Sequence, residues 1–210
     1  MTIHDIYRRI SPSFRSQRMA KFLALFGPEP ATKMVDLGGY PWVWAQTGAQ
    51  FPVLSVNIHV PAGVERYAPQ FSMVQGDATR LDFPDRSFDI TYSNSVIEHL
   101  GTWERQQAFA SEARRVGRRL WIQTPARWFP MEPHLITPFV HYFSRGVQSR
   151  LLRWFTVWGW LNRPTATQIA GFLSEVRMLT LREMKKLFPD CEILRERLFG
   201  LTKSYIAIRL

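Results

Sequence analysis

Cysteine is almost absent: Cys191 is the single one in 210 residues, so no disulfide can form within the chain, and a reducing compartment is the simpler setting. At the start of a β-like run, Cys191 reads as a small packing residue rather than a nucleophile. Long apolar stretches are missing too. No segment approaches the ~20 consecutive apolar residues that cross a bilayer, and the first residues lack the charged-then-apolar order of a secretory leader, which points to the cytoplasm. Acidic side chains are outnumbered, 17 against 27 basic ones, leaving a formal net charge of +10. Such an excess attracts anionic partners, nucleic acid or a lipid surface among them, without choosing between them.

The length suits one domain with a full core over residues 1–210, with 1–30 as a helical cover and 126–175 as an insertion. Its organising stretch is Val35-Asp36-Leu37-Gly38-Gly39-Tyr40-Pro41-Trp42. Met34 to Leu37 is short, apolar and β-compatible, as a central parallel strand should be. Gly38 and Gly39 reach backbone angles closed to other residues, and Pro41 suits the first turn of a helix. A second β-like run, Pro52 to Asn57, ends in Asn57, about twenty residues after Asp36, where a nucleoside-binding βαβ unit places a ribose-reading side chain. A third, from Phe71, ends in the turn Gly76-Asp77-Ala78. After it come Phe83-Pro-Asp-Arg-Ser-Phe-Asp89, a strand, and Ser93-Asn94-Ser95-Val96-Ile97-Glu98-His99 entering a helix.

This ordered set, from about Val35 to Pro125, resembles the class I S-adenosylmethionine-dependent methyltransferases, the type 11 subgroup. The resemblance implies a Rossmann-like, doubly wound α/β fold of seven strands, mostly parallel with an antiparallel last strand, and S-adenosyl-L-methionine as cofactor. Carried onto this sequence, it implies that Asp36, Gly38 and Gly39 hold the methionine part, Asn57 the ribose, and Asp77 with the backbone of Ala78 the adenine, with Asn94 also at the cofactor. Two departures from the family pattern stand out. Tyr40 and Trp42 stand where later glycines of the turn are usual, and Asn57 replaces a carboxylate, keeping an acceptor but losing its charge.

Elsewhere, Ser11 is placed to cap a helix beginning at Pro12, and Met19, Phe22, Leu23 and Phe26 recur at helical spacing, so that helix should pack on the sheet until Gly27-Pro28 ends it. Pro41 to Ala49 and Pro61 to Tyr67 are short helical candidates. Thr102 to Val116 reads as the clearest helix, with Trp103, Phe109 and Ala113 inward. Arg118 to Pro125 is the fifth strand of the parallel set, and Cys191–Glu196 and Ser204–Arg209 close the sheet.

The acceptor side should be set by residues 127–174, because ligands of open α/β sheets meet the carboxyl ends of the strands. The loop Trp128-Phe-Pro-Met-Glu132-Pro-His134 carries a carboxylate-imidazole pair. There His134, oriented by Glu132, could take a proton from a substrate hydroxyl, with His99 as the competing base. Glu132, His134 and His141 lack tight metal-ligand spacing, so no metal site is assigned. Residues 147–161 are aromatic and basic, and as one helix they would align Leu151, Trp154, Phe155 and Trp158 on a face suited either to a lid or to a membrane surface. The expected function is therefore methyl transfer to an oxygen of a small-molecule or lipid-linked acceptor, with peripheral membrane association through 147–161. RNA methylation is a second reading, disfavoured because Ser93-Asn94-Ser95-Val96 lacks the Asn/Asp-Pro-Pro-aromatic pattern of base-amine methylation. A third is a non-catalytic surface module on a decayed methyltransferase scaffold, suggested by the altered turn.

Overall fold

The computed structural model describes residues 12–210, so the Ser11 cap lies outside the described residues. Five short runs form parallel strands: β1 (Met34–Leu37), β2 (Val53–Asn57), β3 (Phe71–Gln75), β4 (Phe88–Asn94) and β5 (Gly117–Pro125). A two-residue ribbon follows, β6 (Met131–Glu132) with β7 (Thr137–Pro138), and then β8 (Glu192–Leu198) and β9 (Leu201–Arg209). The seven-stranded sheet has the order β3-β2-β1-β4-β5-β9-β8. β9 runs antiparallel to both β5 and β8, so it alone reverses direction. This is the Rossmann-like sheet that the sequence implies. Strand order reverses between β1 and β4, which makes their carboxyl ends the switch point where such folds bind ligands.

Side-chain alternation along the strands divides the core into two layers. Leu120 and Ile122 of β5 and Ala207 of β9 face one side with Val35, Leu37, Phe109 and Phe188. Trp121, Ile206 and Ile208 face the other, where they meet Met34, Trp44 and Tyr92. Helix α1 (Pro12–Phe26) covers this second side. Its Phe22 is fully buried and meets Trp44, Tyr92 and Trp121 edge to face at 5.0–6.1 Å between centroids. Phe26 is buried too, with Met19 and Leu23 packed beside it, as the helical spacing requires. Helix α2 (Pro41–Ala45) is shorter than its sequence pattern, and Val64–Tyr67 forms one 3-10 turn. Helix α3 (Trp103–Val116) is capped by the Thr102 hydroxyl, which accepts from the Arg105 amide, and it buries Phe109, Ala110 and Ala113.

Residues 147–161 do not form one helix. They divide into the end of α4 (Arg145–Leu151) and the start of α5 (Val157–Asn162), followed by α6 (Ala166–Glu175). The break has a local cause: Thr156 starts a new helix, its hydroxyl accepting from the Gly159 amide at 2.8 Å. A Cβ at Gly159 would lie 2.1 Å from the Leu152 carbonyl oxygen, so α5 folds back tightly against the end of α4. The expected single face is lost. Leu152 points inward, Trp158 stacks on Phe172, and Trp154 and Phe155 remain exposed. These helices share a small core of Leu135, Val140, Leu152, Ile169 and Leu173. Helix α7 (Leu181–Leu187), with a complete capping box at Thr180 and Glu183, leads to β8.

Truncating Phe22 to Ala should cost about 3–5 kcal/mol, because a fully buried ring with three aromatic partners leaves a cavity that cannot close. Equilibrium denaturation with urea measures it, and a loss under 1 kcal/mol would mean that α1 is not part of the core.

Candidate active site at the strand tips

The first half of the candidate site is built on the turn after β1. Gly38 has a φ of +82°, and a Cβ there would lie 2.5 Å from the Val96 side chain. At Gly39 it would lie 1.7 Å from Asp36 Oδ2, so the carboxylate itself demands glycine. Asp36 is buried and accepts a hydrogen bond from Trp44 Nε1 at 2.7 Å. Burial pushes its pKa up to about 7, with the Trp44 hydrogen bond pulling the other way. The Asn57 amide donates to the Gly38 carbonyl at 3.1 Å. A carboxylate at 57 would set an oxygen against that carbonyl, so the departure from the family pattern lets residue 57 brace the turn. Tyr40 and Trp42, at the later glycine positions, stack on each other at 4.4 Å and 12°.

Asp77, just beyond β3, accepts from the Thr79 amide and hydroxyl at 2.9 and 2.8 Å and from Arg105 at 3.2 Å. Burial opposes its ionisation, but these donors outweigh it and hold the pKa below the ordinary value. Ala78 is half-buried and packs against the core. Asn94, the last residue of β4, is held by Arg18, whose guanidinium also reaches Gln123 and forms a paired contact with Glu196. Sequence reasoning missed this buried arginine, since the apolar stripe of α1 gives no sign that its one inward cation ties the helix to the strand tips. Asp36 and Asn57 thus lie on the adjacent strands β1 and β2, and Asp77 just beyond β3 beside them. A buried carboxyl, an amide and an ionised carboxylate in that order fit, in chemical kind, the ammonium, ribose and adenine of a nucleoside sulfonium.

The second half of the candidate site is assembled from the loops after β4 and β5. Ser95 takes a left-handed φ of +57° and is held by Gln123 through both its amide and its hydroxyl. This sharp turn sends Glu98 and His99 back over the sheet on a 3-10 turn, Ile97–Leu100. Glu98 is fully buried; Oε2 accepts from Thr124 Oγ1 at 2.9 Å, and Oε1 has no hydrogen-bond partner. From the other loop, buried Glu132 on β6 accepts from the Leu135 amide at 2.6 Å and from His134 Nδ1 at 2.7 Å. His134 Nε2 then lies 3.1 Å from His99 Nε2. The two histidines that compete for the role of base in the sequence are therefore one unit.

Burial disfavours charge on His134, but the Glu132 hydrogen bond and the Glu132 and Glu98 charges outweigh it and raise its pKa. Burial and the neighbouring His134 lower that of His99 to about 4. A proton is therefore favoured on His134 over His99. His141 does not join them; its Nε2 meets the Arg127 carbonyl at 3.0 Å. Beside Glu132 a cavity of about 250 Å³ is lined by Arg127, Arg145, Arg177, His141 and Phe172.

The family model for the methyltransferase domain matches residues 45–119. The match covers less than half of the chain; with the sheet order, it makes the chain similar to the class I S-adenosylmethionine-dependent methyltransferases. No curated protein matches the sequence. Among solved structures, a protein from Pyrococcus horikoshii OT3 is 16% identical with a TM-score of 0.55, covering 97% of each chain. Phosphoethanolamine N-methyltransferase 2 from Haemonchus contortus, in complex with S-adenosyl-L-methionine, is 16% identical at a TM-score of 0.56, covering 86% of this chain and 38% of its own. The 1,6-didemethyltoxoflavin-N1-methyltransferase of Burkholderia thailandensis, with 1,6-didemethyltoxoflavin and S-adenosylhomocysteine bound, is 14% identical at a TM-score of 0.54, covering 90% and 73%. The chain spans less than half the length of two of the structures it matches. At these identities the likeness establishes the fold.

The raised pKa of Asp36 sets a pH dependence. The folded state holds a proton that the unfolded chain has released above about 3.8, so this group's contribution to stability is complete at lower pH and is lost as pH rises to about 7. Asp36→Asn should flatten that decline, gaining at most about 4 kcal/mol over the wild type between pH 4 and 8. Urea titrations across that range measure it, and parallel profiles for the two proteins would refute a buried, neutral carboxyl.

Proposed function

We propose that the protein transfers the methyl group of S-adenosyl-L-methionine to an oxygen of a small-molecule or lipid-linked acceptor. The observation that carries this reading is the convergence of Glu132, His134 and His99 at the carboxyl ends of β4 and β5, beside the switch point. The sulfonium makes the methyl carbon electrophilic when the cofactor is bound. The chain then has to align the acceptor and draw off its proton. In this reading Asp36 and the Gly38-Gly39 turn receive the methionine end, Asn57 the ribose, and Asp77 with Ala78 the adenine. Asn94 keeps Arg18 at the edge of that crevice, and the acceptor hydroxyl faces His99 and His134, with Glu132 holding the latter ring. The cavity beside Glu132 offers the rest of the acceptor a partly apolar wall with three guanidinium groups.

Titration calorimetry with S-adenosyl-L-methionine should give one site per chain. Asp77→Ala should weaken it at least ~10-fold, the equivalent of a charge-assisted hydrogen bond. With a methyl-labelled cofactor and a panel of phenols, isoprenoid alcohols and acidic metabolites, label should enter an oxygen, and His134→Ala should slow transfer by about 10²–10⁴. Absence of binding to the wild type at millimolar cofactor, or label found only on nitrogen, would overturn the reading.

Association with a lipid surface is the part of this reading that concerns the acceptor's source. Among the described residues no helix is long and apolar enough to cross a membrane. Trp154, Phe155 and Trp160 are 63%, 67% and 66% exposed, with Arg153 over the Trp154 ring, a combination suited to an anionic interface. Cosedimentation with vesicles containing phosphatidylserine should fall at least several-fold in the Trp154→Ala, Trp160→Ala double variant. Equal sedimentation of both proteins would remove lipid association from the proposal.

A further inference from the structure

We propose that Glu98, His99 and His134 bind a divalent first-row transition-metal ion. These three side chains bring one ligand atom each to within 4.8 Å of one another, and among the described residues no other group of His, Cys, Asp and Glu does so. The two Nε2 atoms are 3.1 Å apart, close to the ~3.3 Å between two nitrogens bound to one tetrahedral ion at ~2.0 Å each. Closing the carboxylate onto the same point takes a side-chain movement of about 1 Å.

His134 and Glu98 are prepared for this role by contacts that do not need the ion. His134 gives its Nδ1 to Glu132 Oε1, leaving Nε2 outward, which is the carboxylate-histidine arrangement that orients metal-bound imidazoles. Glu132 is itself fixed by the Leu135 amide. Glu98 is wholly buried, with Thr124 on Oε2 and nothing on Oε1. A buried polar oxygen without a partner is costly, and a cation beside it would supply one. The backbone of the same residue is pinned, its carbonyl accepting from the Arg177 amide at 2.7 Å. Two imidazoles and one carboxylate favour zinc, manganese, iron or cobalt over magnesium or calcium, which prefer all-oxygen shells. Three protein ligands leave coordination positions open, as in catalytic rather than structural sites.

For what the ion would do, this inference rests on the proposed methyl transfer; for the binding itself it does not. An acceptor hydroxyl on an open position would release its proton to solvent more easily. Its oxygen would then bond to the methyl carbon as the carbon-sulfur bond breaks and the cofactor leaves as a neutral thioether. In the loaded protein the imidazoles would be ligands, and they would receive the proton only when the ion is absent.

The test uses untagged, chelator-treated protein, titrated calorimetrically with Zn²⁺ and by visible absorption with Co²⁺. One ion per chain is expected, with the d–d bands of a four- or five-coordinate cobalt site. His99→Ala and His134→Ala should each weaken binding by more than 100-fold, while Glu132→Gln, which keeps all three ligands, should weaken it on the order of 10- to 100-fold. Circular dichroism shows whether each variant is folded, and Glu98→Gln serves as the isosteric substitute if His134→Ala does not fold. No saturable binding to the wild type, or unchanged binding in the His99→Ala, His134→Ala double variant, overturns the site. Metal binding in a protein that binds no S-adenosyl-L-methionine would leave the site standing and remove methyl transfer. Transfer undiminished by chelation would leave the site standing and remove the ion's part in the reaction.

Discussion

The side-chain amide of Gln106, fully buried in α3, donates to the Ile97 carbonyl at 2.9 Å and to the Arg177 carbonyl at 2.8 Å. One group thereby fastens the loop leaving β4 to the segment returning from the insertion, and the Arg177 amide completes the joint by donating to the Glu98 carbonyl. Buried backbone carbonyls need donors, and losing one of these bonds would leave an acceptor stranded away from water. The geometry of the cluster around Glu98 and His99 follows from this joint. Glu98 and His99 cannot move away from the sheet without breaking it, and Gly101 lies so close to the end of α6 that a Cβ there would stand 2.5 Å from the Ser174 carbonyl oxygen.

The two halves of the site carry different electrostatics. Around Asp36 the surroundings are apolar and aromatic, so a carboxyl there is held neutral until a cation approaches. Around His134 the surroundings are polar and carboxylate-rich, so positive charge is favoured. Between them runs the Arg18 network, which joins α1 to β4, β5 and β8 through Asn94, Gln123 and Glu196. A covering helix tied down by a buried guanidinium is positioned more narrowly than one resting on Phe22 and Phe26 alone, because hydrophobic contact is not directional while a paired guanidinium contact is.

The sheet was legible because its signals are local. Short apolar runs ending at Gly38, Asn57 and Asp77 locate three strand tips by chain spacing alone, and the period of α1 and α3 names their buried faces. The pairing of His134 with Glu132 was legible for the same reason, since only Pro133 separates them in a proline-stiffened loop. What could not be read depends on distance along the chain. Glu98 and Thr124, or Arg18 and Glu196, meet only once the sheet has formed, and nothing in the spacing of residues 98, 99 and 134 reveals that they converge. Residues 147–161 misled for another reason. Helical spacing of Leu151, Trp154, Phe155 and Trp158 is real in the sequence, but the hydroxyl of Thr156 competes with the backbone for hydrogen bonds and restarts the helix.

The ribbon and short helices that follow β5 keep an apolar centre of their own, in Leu135, Val140, Leu152, Ile169 and Leu173, distinct from the two layers flanking the sheet. A segment that closes upon itself in this way can accumulate substitutions without unsettling the strands beneath. Change in this segment can then proceed while the strand tips keep their geometry.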